Sequence, residues 1–290
     1  MPTITHTLST PDVDLGYQVI TPDSDASTRP KPTLLIVGHP MGADGFTALA
    51  GHFGDRTVVT YDPRGIGRST RKDGRSDRGP DLHVADLHAL ITELGGPVDV
   101  FASSGGAVNC LALVASHPDD VHTLVAHEPP LLALLPDADA AFAAERDVQQ
   151  RYHDHGWGAG MAGFIALVSW QGEFGPDYSA RPPADPAALG LPTQDDGGRD
   201  DPLLSGTANG VTGYVPSAEA IAAASSRVVL GLGAETGNAL TARTTRAAAD
   251  VLGLPIVEFP GGHGGFAGED EPYPGQATPF AETLRQVLDA

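Results

Sequence analysis

The 290-residue sequence has one cysteine, two lysines and no long apolar run. The lone Cys110 excludes an intramolecular disulfide and any cysteine-rich metal site. No stretch approaches the roughly 18 apolar residues of a membrane span. The first residues, MPTITHTLST, have neither a basic start nor an apolar core, so no signal peptide is expected and a cytoplasmic location is the default. Basic residues number 17 against 37 acidic ones, a formal charge of −20. Nucleic acid and anionic membranes both require clustered Lys and Arg, so neither is expected as a partner. A small-molecule partner remains, with monomer and homodimer both open.

The sequence is nevertheless well supplied for a core, with 41% hydrophobic residues. Glycine (36) and proline (25) are abundant without a collagen-like period. The length fits two domains or one large α/β domain carrying an insertion.

Residues 3–20 alternate polar and apolar around Pro11-Asp12 and predict two antiparallel strands. A polar, Pro-rich connection follows at 21–32. Six short apolar runs, 33–39, 57–63, 98–103, 121–128, 227–233 and 255–261, read as strands buried on both faces. Helical patterns at 81–95, 105–117, 238–252 and 278–289 lie between them, which argues for a doubly wound, mostly parallel sheet. The rhythm breaks between Glu128 and Arg227. That interval holds helical stretches near 137–155 and 158–171 and a Pro/Gly/Asp-rich loop at 175–202. The expected organisation is a core of 1–130 and 227–290 with a mostly helical cap inserted at 131–226, over the sheet edge where ligands bind. The 175–202 loop is expected to be its mobile lid.

Chemistry concentrates in three loops. In VFASSGGAV (100–108) a strand ends and a helix begins around Ser104, with Ala102 two residues before it and Gly106 two after. A nucleophile on such a strained turn needs small residues at both places, where a side chain would strike the neighbouring backbone. Ser103 fails the test, because Phe101 stands at its minus-two position. A phosphate-binding turn would need the P-loop lysine or the G-x-G-x-x-G spacing, and both are missing. In GHPMGADGF (38–46), a strand-exit turn can aim a backbone N–H at an oxyanion. Pro40 has none to give, so Met41 is the expected donor beside Gly105. In FPGGHGGF (259–266), His263 follows the last strand, after every candidate acid, with two glycines on each side. It is the expected general base.

These features, with YDPRGIGRS (61–69), resemble the α/β-hydrolase superfamily, in its serine hydrolase branch with a helical cap. The resemblance implies a Ser–His–acid mechanism without metal or organic cofactor. It usually implies an Asp just past the fifth buried strand, but Thr236 stands there, with Glu235 one position away. Some members similar to haloalkane dehalogenases carry a glutamate at the end of the preceding strand, where this sequence has Glu128. Glu128 is the expected acid and Glu235 the alternative. A serine nucleophile argues against the epoxide-hydrolase and dehalogenase branches, which need a carboxylate there.

Trp157, Phe164 and Trp170 are candidate substrate contacts in the cap. The other histidines form no recognisable metal triad, and the basic run 64–78 reads as a solvated loop. The expected activity is hydrolysis of a carboxylic ester or lactone. Serine-dependent C–C, thioester or perhydrolase chemistry, a non-hydrolytic cyclase and a non-catalytic ligand-binding protein are the alternatives.

Overall fold

The computed structural model describes residues 2–22, 31–75, 79–271 and 273–290. Parts of the polar connection (23–30) and of the basic run (76–78) lie outside the described residues. The strands are β1 (Thr3–Ser9), β2 (Val13–Ile20), β3 (Leu34–Val37), β4 (Val58–Tyr61), β5 (Thr70–Arg71), β6 (Val98–Ser103), β7 (Val121–His127), β8 (Arg227–Gly233) and β9 (Ile256–Phe259). The helices are α1 (Thr47–Ala50), α2 (Asp81–Leu94), α3 (Gly105–Ser116), α4 (Ala138–His155), α5 (Trp157–Val168), α6 (Pro176–Ser179), α7 (Ala218–Ala223), α8 (Leu240–Leu252) and α9 (Ala277–Leu288).

One sheet runs in the order β1-β2-β4-β3-β6-β7-β8-β9, with β5 against β2. β2 pairs antiparallel with β1, β4 and β5; from β4 to β9 every pairing is parallel. The doubly wound α/β fold expected from the apolar runs is therefore present. The period-2 geometry of a strand explains why those runs are continuous rather than alternating. Leu35, Val37, Val100, Ala102, Leu124 and Leu230 face α2, α3 and α8, while Leu34, Ile36, Phe101, Val125 and Val229 face α1 and α9. The central strands β3, β4, β6, β7 and β8 have a helix layer on both sides, so both sets of residues are largely apolar; β9, expected to be buried on both faces as well, is an edge strand with Ile256 and Glu258 exposed.

The inserted segment is helical, as expected, and is built on α4 and α5. They share an apolar cluster of Leu135, Ala141, Val148, Tyr152 and Leu167. A Cβ at Gly160 would lie 2.7 Å from the Tyr152 Cβ, so α5 needs a glycine there to approach α4. The segment is tied to the core by Arg243 of α8, which pairs with Asp137 and donates to the Gly172 carbonyl at 2.9 Å. Its last helix, α7, belongs instead to the core layer: Ile221 packs in the cluster of α2, α3 and α8.

The basic run differs from the solvated loop expected of it. Arg64 is buried and held by Asp86 at 2.6 Å and Asp73 at 2.9 Å. A guanidinium can be buried only when its donors find such partners.

Candidate active site

The β6–α3 turn forces Ser104 into a backbone conformation of φ 58° and ψ −130°. Non-glycine residues seldom adopt a positive φ, and those that do cluster at functional sites. Small neighbours permit it here. Ala102 is fully buried in register between Val37 and Ala126, and a Cβ at Gly106 would come within 2.6 Å of the Val37 carbonyl oxygen. The Ser104 N–H donates to the His127 carbonyl at 3.0 Å, and Ser104 lies at the start of α3, where the helix presents its positive end.

His263 and Ser104 line one cavity of about 210 Å³ at the C-terminal edge of the parallel strands. The Nδ1 of His263 lies 2.6 Å from Oε2 of Glu128, which is 0% exposed. Glu128 follows β7 at φ 48°, the second non-glycine positive φ among the described residues. Its carboxylate also accepts bonds from the Gly233 N–H (2.9 Å), Thr236 Oγ1 (2.5 Å) and Thr241 Oγ1 (2.7 Å). Burial pushes this carboxyl up. The His263 hydrogen bond, the charges of His263 and His127 and the Thr236 hydroxyl outweigh burial and hold it down at about 2. Of the two acids the sequence offered, only Glu128 contacts His263. Glu235 is exposed and accepts a hydrogen bond from Gln276 Nε2 at 2.8 Å.

Ser103, the serine rejected on steric grounds, is 2% exposed and does not line the cavity. Its Oγ lies 3.3 Å from His127 Nδ1. The His127 ring is enclosed by Phe101, Phe259, Phe266 and Phe280, and burial pushes it down to about 4, so it stays neutral.

The Met41 side chain is 40% exposed and folds over Gly45; the group expected to serve an oxyanion is its main-chain N–H, not this side chain. The turn meets the cavity through His39 and Pro40, and a Cβ at Gly105 would lie 2.8 Å from the His39 carbonyl oxygen. Two expectations need correction. Of the three cap aromatics, only Phe164 lines the cavity. Trp157 Nε1 donates to Asp201 at 3.0 Å, and Trp170 lies edge-on to Tyr178 with the Arg181 guanidinium over its ring, so both hold the insertion together. The 175–202 loop contributes no lining residue either; Leu203, Val211 and Thr212 do.

Away from this site, two histidines and an aspartate come together at the surface. His88, His117 and Asp120 bring their ligand atoms within 4.8 Å of one another. Asp120 immediately precedes β7, so this group sits at the opposite edge of the sheet from Ser104. The two rings stack nearly parallel at 3.9 Å, which aims their in-plane lone pairs alongside each other rather than at one point.

Residues 19–274 match the alpha/beta hydrolase family. The chain belongs to that family. Part of it is similar to the uncharacterized hydrolase YraK of Bacillus subtilis (strain 168), with 37% identity over 133 residues, 44% of this chain and 46% of YraK. The match thus spans about half the length of that relative. Three solved structures share the fold. An esterase from Thermogutta terrifontis has 19% identity, coverage of 100% of this chain and 98% of its own, and a TM-score of 0.60. A proline iminopeptidase from Mycobacterium smegmatis has 19% identity, 99% and 98% coverage, and 0.62. An enol-lactonase from Burkholderia xenovorans LB400 has 17% identity, 96% and 97% coverage, and 0.60. No described helix of this alpha/beta hydrolase is long and apolar enough to cross a membrane.

The sequence missed four groups in the site. Thr241 and Thr236 hold Glu128, and Thr236 carried a signal, since it replaces the usual acid. His39, beside Pro40 in the same turn as Met41, carried no signal of its own. Glu145, on α4, lines the cavity and carried no signal among 37 acidic residues.

Proposed function

We propose that this alpha/beta hydrolase cleaves a carboxylic ester or lactone of a small, largely apolar substrate through an acyl-enzyme. The observation that carries the reading is the 2.6 Å contact between His263 Nδ1 and buried Glu128, with His263 on the same cavity wall as Ser104. A carboxylate at Nδ1 fixes the imidazole so that Nε2 is the basic nitrogen, and it stabilises the imidazolium.

His263 takes the Ser104 proton as Oγ attacks the carbonyl carbon. The oxyanion forms beside the Gly105 N–H and the main-chain N–H of Met41, in the turn that meets the cavity through His39 and Pro40. His263 returns the proton to the leaving alkoxide. It then deprotonates a water that attacks the acyl group, and Ser104 leaves with the proton restored. The cavity, about 210 Å³, suits a small acyl or alcohol group, and its Leu132, Phe164, Leu167 and Leu240 walls suit an apolar one.

The test is a panel of p-nitrophenyl esters of graded acyl length and of simple lactones, given to the wild type and to Ser104→Ala. Turnover that disappears in the variant supports the reading. Turnover undiminished in Ser104→Ala overturns it, and turnover confined to thioesters or diketones moves it to another bond.

A further inference from the structure

Apart from His39 and His263, one ionisable residue lines the cavity, and it lies in an apolar wall. Leu132, Phe164, Leu167, Leu203, Val211 and Leu240 form it, and Glu145 of α4 interrupts it. On α4 the inward stripe runs Ala141, Ala144, Val148, Tyr152, so Glu145 sits on the margin of a core-facing surface. Among the described residues its side chain accepts one hydrogen bond, from Thr212 Oγ1 at 3.3 Å to Oε2. No Lys, Arg or His forms an ion pair with it among the described residues. Burial pushes the carboxyl up to about 7, against the opposing effects of the Thr212 hydroxyl and the neighbouring Arg146. A carboxylate kept in such a place costs stability unless a partner arrives.

The cavity itself offers no such partner. Among the described residues no lining side chain forms an ion pair with Glu145: His263 is engaged with Glu128, His39 sits in the turn against Gly105, and the other polar lining side chains are the hydroxyls of Ser104, Thr212, Thr236 and Thr241. The chain's charge of −20 raises the local concentration of cations at a cleft. A ligand that is apolar along its length and positively charged at one end would satisfy both the wall and the carboxylate.

We propose that Glu145 binds an ammonium group carried by the substrate, so that the substrate class is an ester or lactone bearing a protonated or quaternary amine away from the scissile carbonyl. The proposal rests on the serine-hydrolase reading above. Glu145 holds the amine while Ser104 meets the carbonyl, and the apolar wall between them covers the connecting carbons.

The experiment uses matched p-nitrophenyl methylphosphonates that phosphonylate the nucleophilic serine and expel p-nitrophenolate. One member of each pair ends its alkyl tether in trimethylammonium and the other in the isosteric tert-butyl group, over a series of tether lengths. The readout is the ratio of second-order inactivation rates, cation over neutral. The probe's charge is fixed, and protonation of His263 affects both members alike, so the ratio reports Glu145. At pH 8.5 the ratio should reach about tenfold at the best tether length, the size of a charge pair formed in a partly buried site. It should fall as pH drops below 7, and it should approach unity in Glu145→Gln.

A ratio near one at every length and pH overturns the proposal and leaves the serine-hydrolase reading standing. A raised ratio that survives in Glu145→Gln also overturns it, because the general field of the protein would then be the cause. If Glu145→Gln does not fold, the pH dependence of the wild-type ratio decides. Failure of both probes to inactivate overturns the serine-hydrolase reading, and this proposal with it.

Discussion

Thr236 Oγ1 donates a hydrogen bond to Glu128 Oε1 across the gap between the ends of β8 and β7. The loop where the family usually places its acid thus carries a donor to an acid supplied by the neighbouring strand. With the Gly233 N–H on the same oxygen and Thr241 on the other, three of the carboxylate's roughly four acceptor directions are filled, and His263 takes the fourth. The carboxylate is held in one rotamer, and so is the imidazole it positions.

Exchange of Glu128 for Gln should therefore be far more damaging than exchange of Glu235. Glu128→Gln removes the charge that stabilises the imidazolium and sets an amide against two hydroxyls and an N–H. It should lower kcat by roughly 10⁴-fold. Glu235→Gln, exposed and bonded only to Gln276, should stay within about threefold of wild type. Steady-state kinetics on any turned-over ester checks both, and equal losses would contradict the assignment of Glu128.

A fluorophosphonate should label Ser104 and leave Ser103 untouched. Ser103 also has a histidine within 3.3 Å, but His127 is buried among phenyl rings and Ser103 is closed off from the cavity. Proximity of Ser and His is therefore no guide without access. Ser104→Ala should cost about 10⁶-fold in kcat, as for a triad serine, and Ser103→Ala less than tenfold. Peptide mapping that places the label on Ser103 would sink the assignment.

The elbow was legible because its constraint is local: two small residues at fixed offsets from Ser104. The strands were legible because burial on both faces leaves few polar positions; in Val98–Ser103 the one charged residue, Asp99, is buried against Arg56 at 2.8 Å. The partners of buried charges were not. Arg64 reads as solvent-facing until Asp86, 22 positions later, closes on it. Trp157 and Trp170 advertise an apolar cover, yet composition does not say which ring faces the ligand. That depends on Asp201 and Arg181, which only the fold brings close.

Gly105→Ala should damage catalysis more than its size implies. The added Cβ would meet the His39 carbonyl oxygen at 2.8 Å and its Nδ1 at 3.0 Å, so the turn opposite must move. Displacement of one oxyanion donor costs about 10²–10³-fold in kcat. The signature is a fall in kcat with KM little changed. A loss confined to KM would place the turn in substrate binding instead.

Phe164 should set chain-length preference, and Trp157 and Trp170 should not. Phe164→Ala enlarges the cavity wall and should move the preferred acyl chain upward by one or more carbons. Trp157→Phe removes the indole bond to Asp201 at about 1 kcal/mol of stability, with the preference unchanged. An ester series measured for both variants separates the roles, and a shifted preference in Trp157→Phe would return that residue to the substrate wall.

The stability of the fold should depend on pH in a way that isolates Glu145. Its carboxyl is raised to about 7 in the folded chain from an ordinary 4.5. Below pH 4.5 it is protonated in both states and contributes nothing to the pH dependence. Between 4.5 and 7 the unfolded chain releases a proton that the folded chain keeps, so stability is lost as pH rises through that window and is level above it. His127 works the other way. It is lowered to about 4 from 6.5, so stability is lost as pH falls from 6.5 through 4. Glu128, lowered from 4.5 to about 2, adds a further loss as pH falls through that range. The three overlap in the wild type, but Glu145→Gln deletes only the first. The groups facing Glu145 are the Thr212 hydroxyl and the Arg146 charge, and both remain in the variant. Glu145→Gln should therefore melt about 2–5 °C above wild type at pH 8.5, where the wild-type carboxylate is charged and costly, and show no such gain at pH 4.5. Thermal unfolding of both proteins at the two pH values decides. A gain of equal size at both would mean that packing, and not the charge of Glu145, is what the substitution changes.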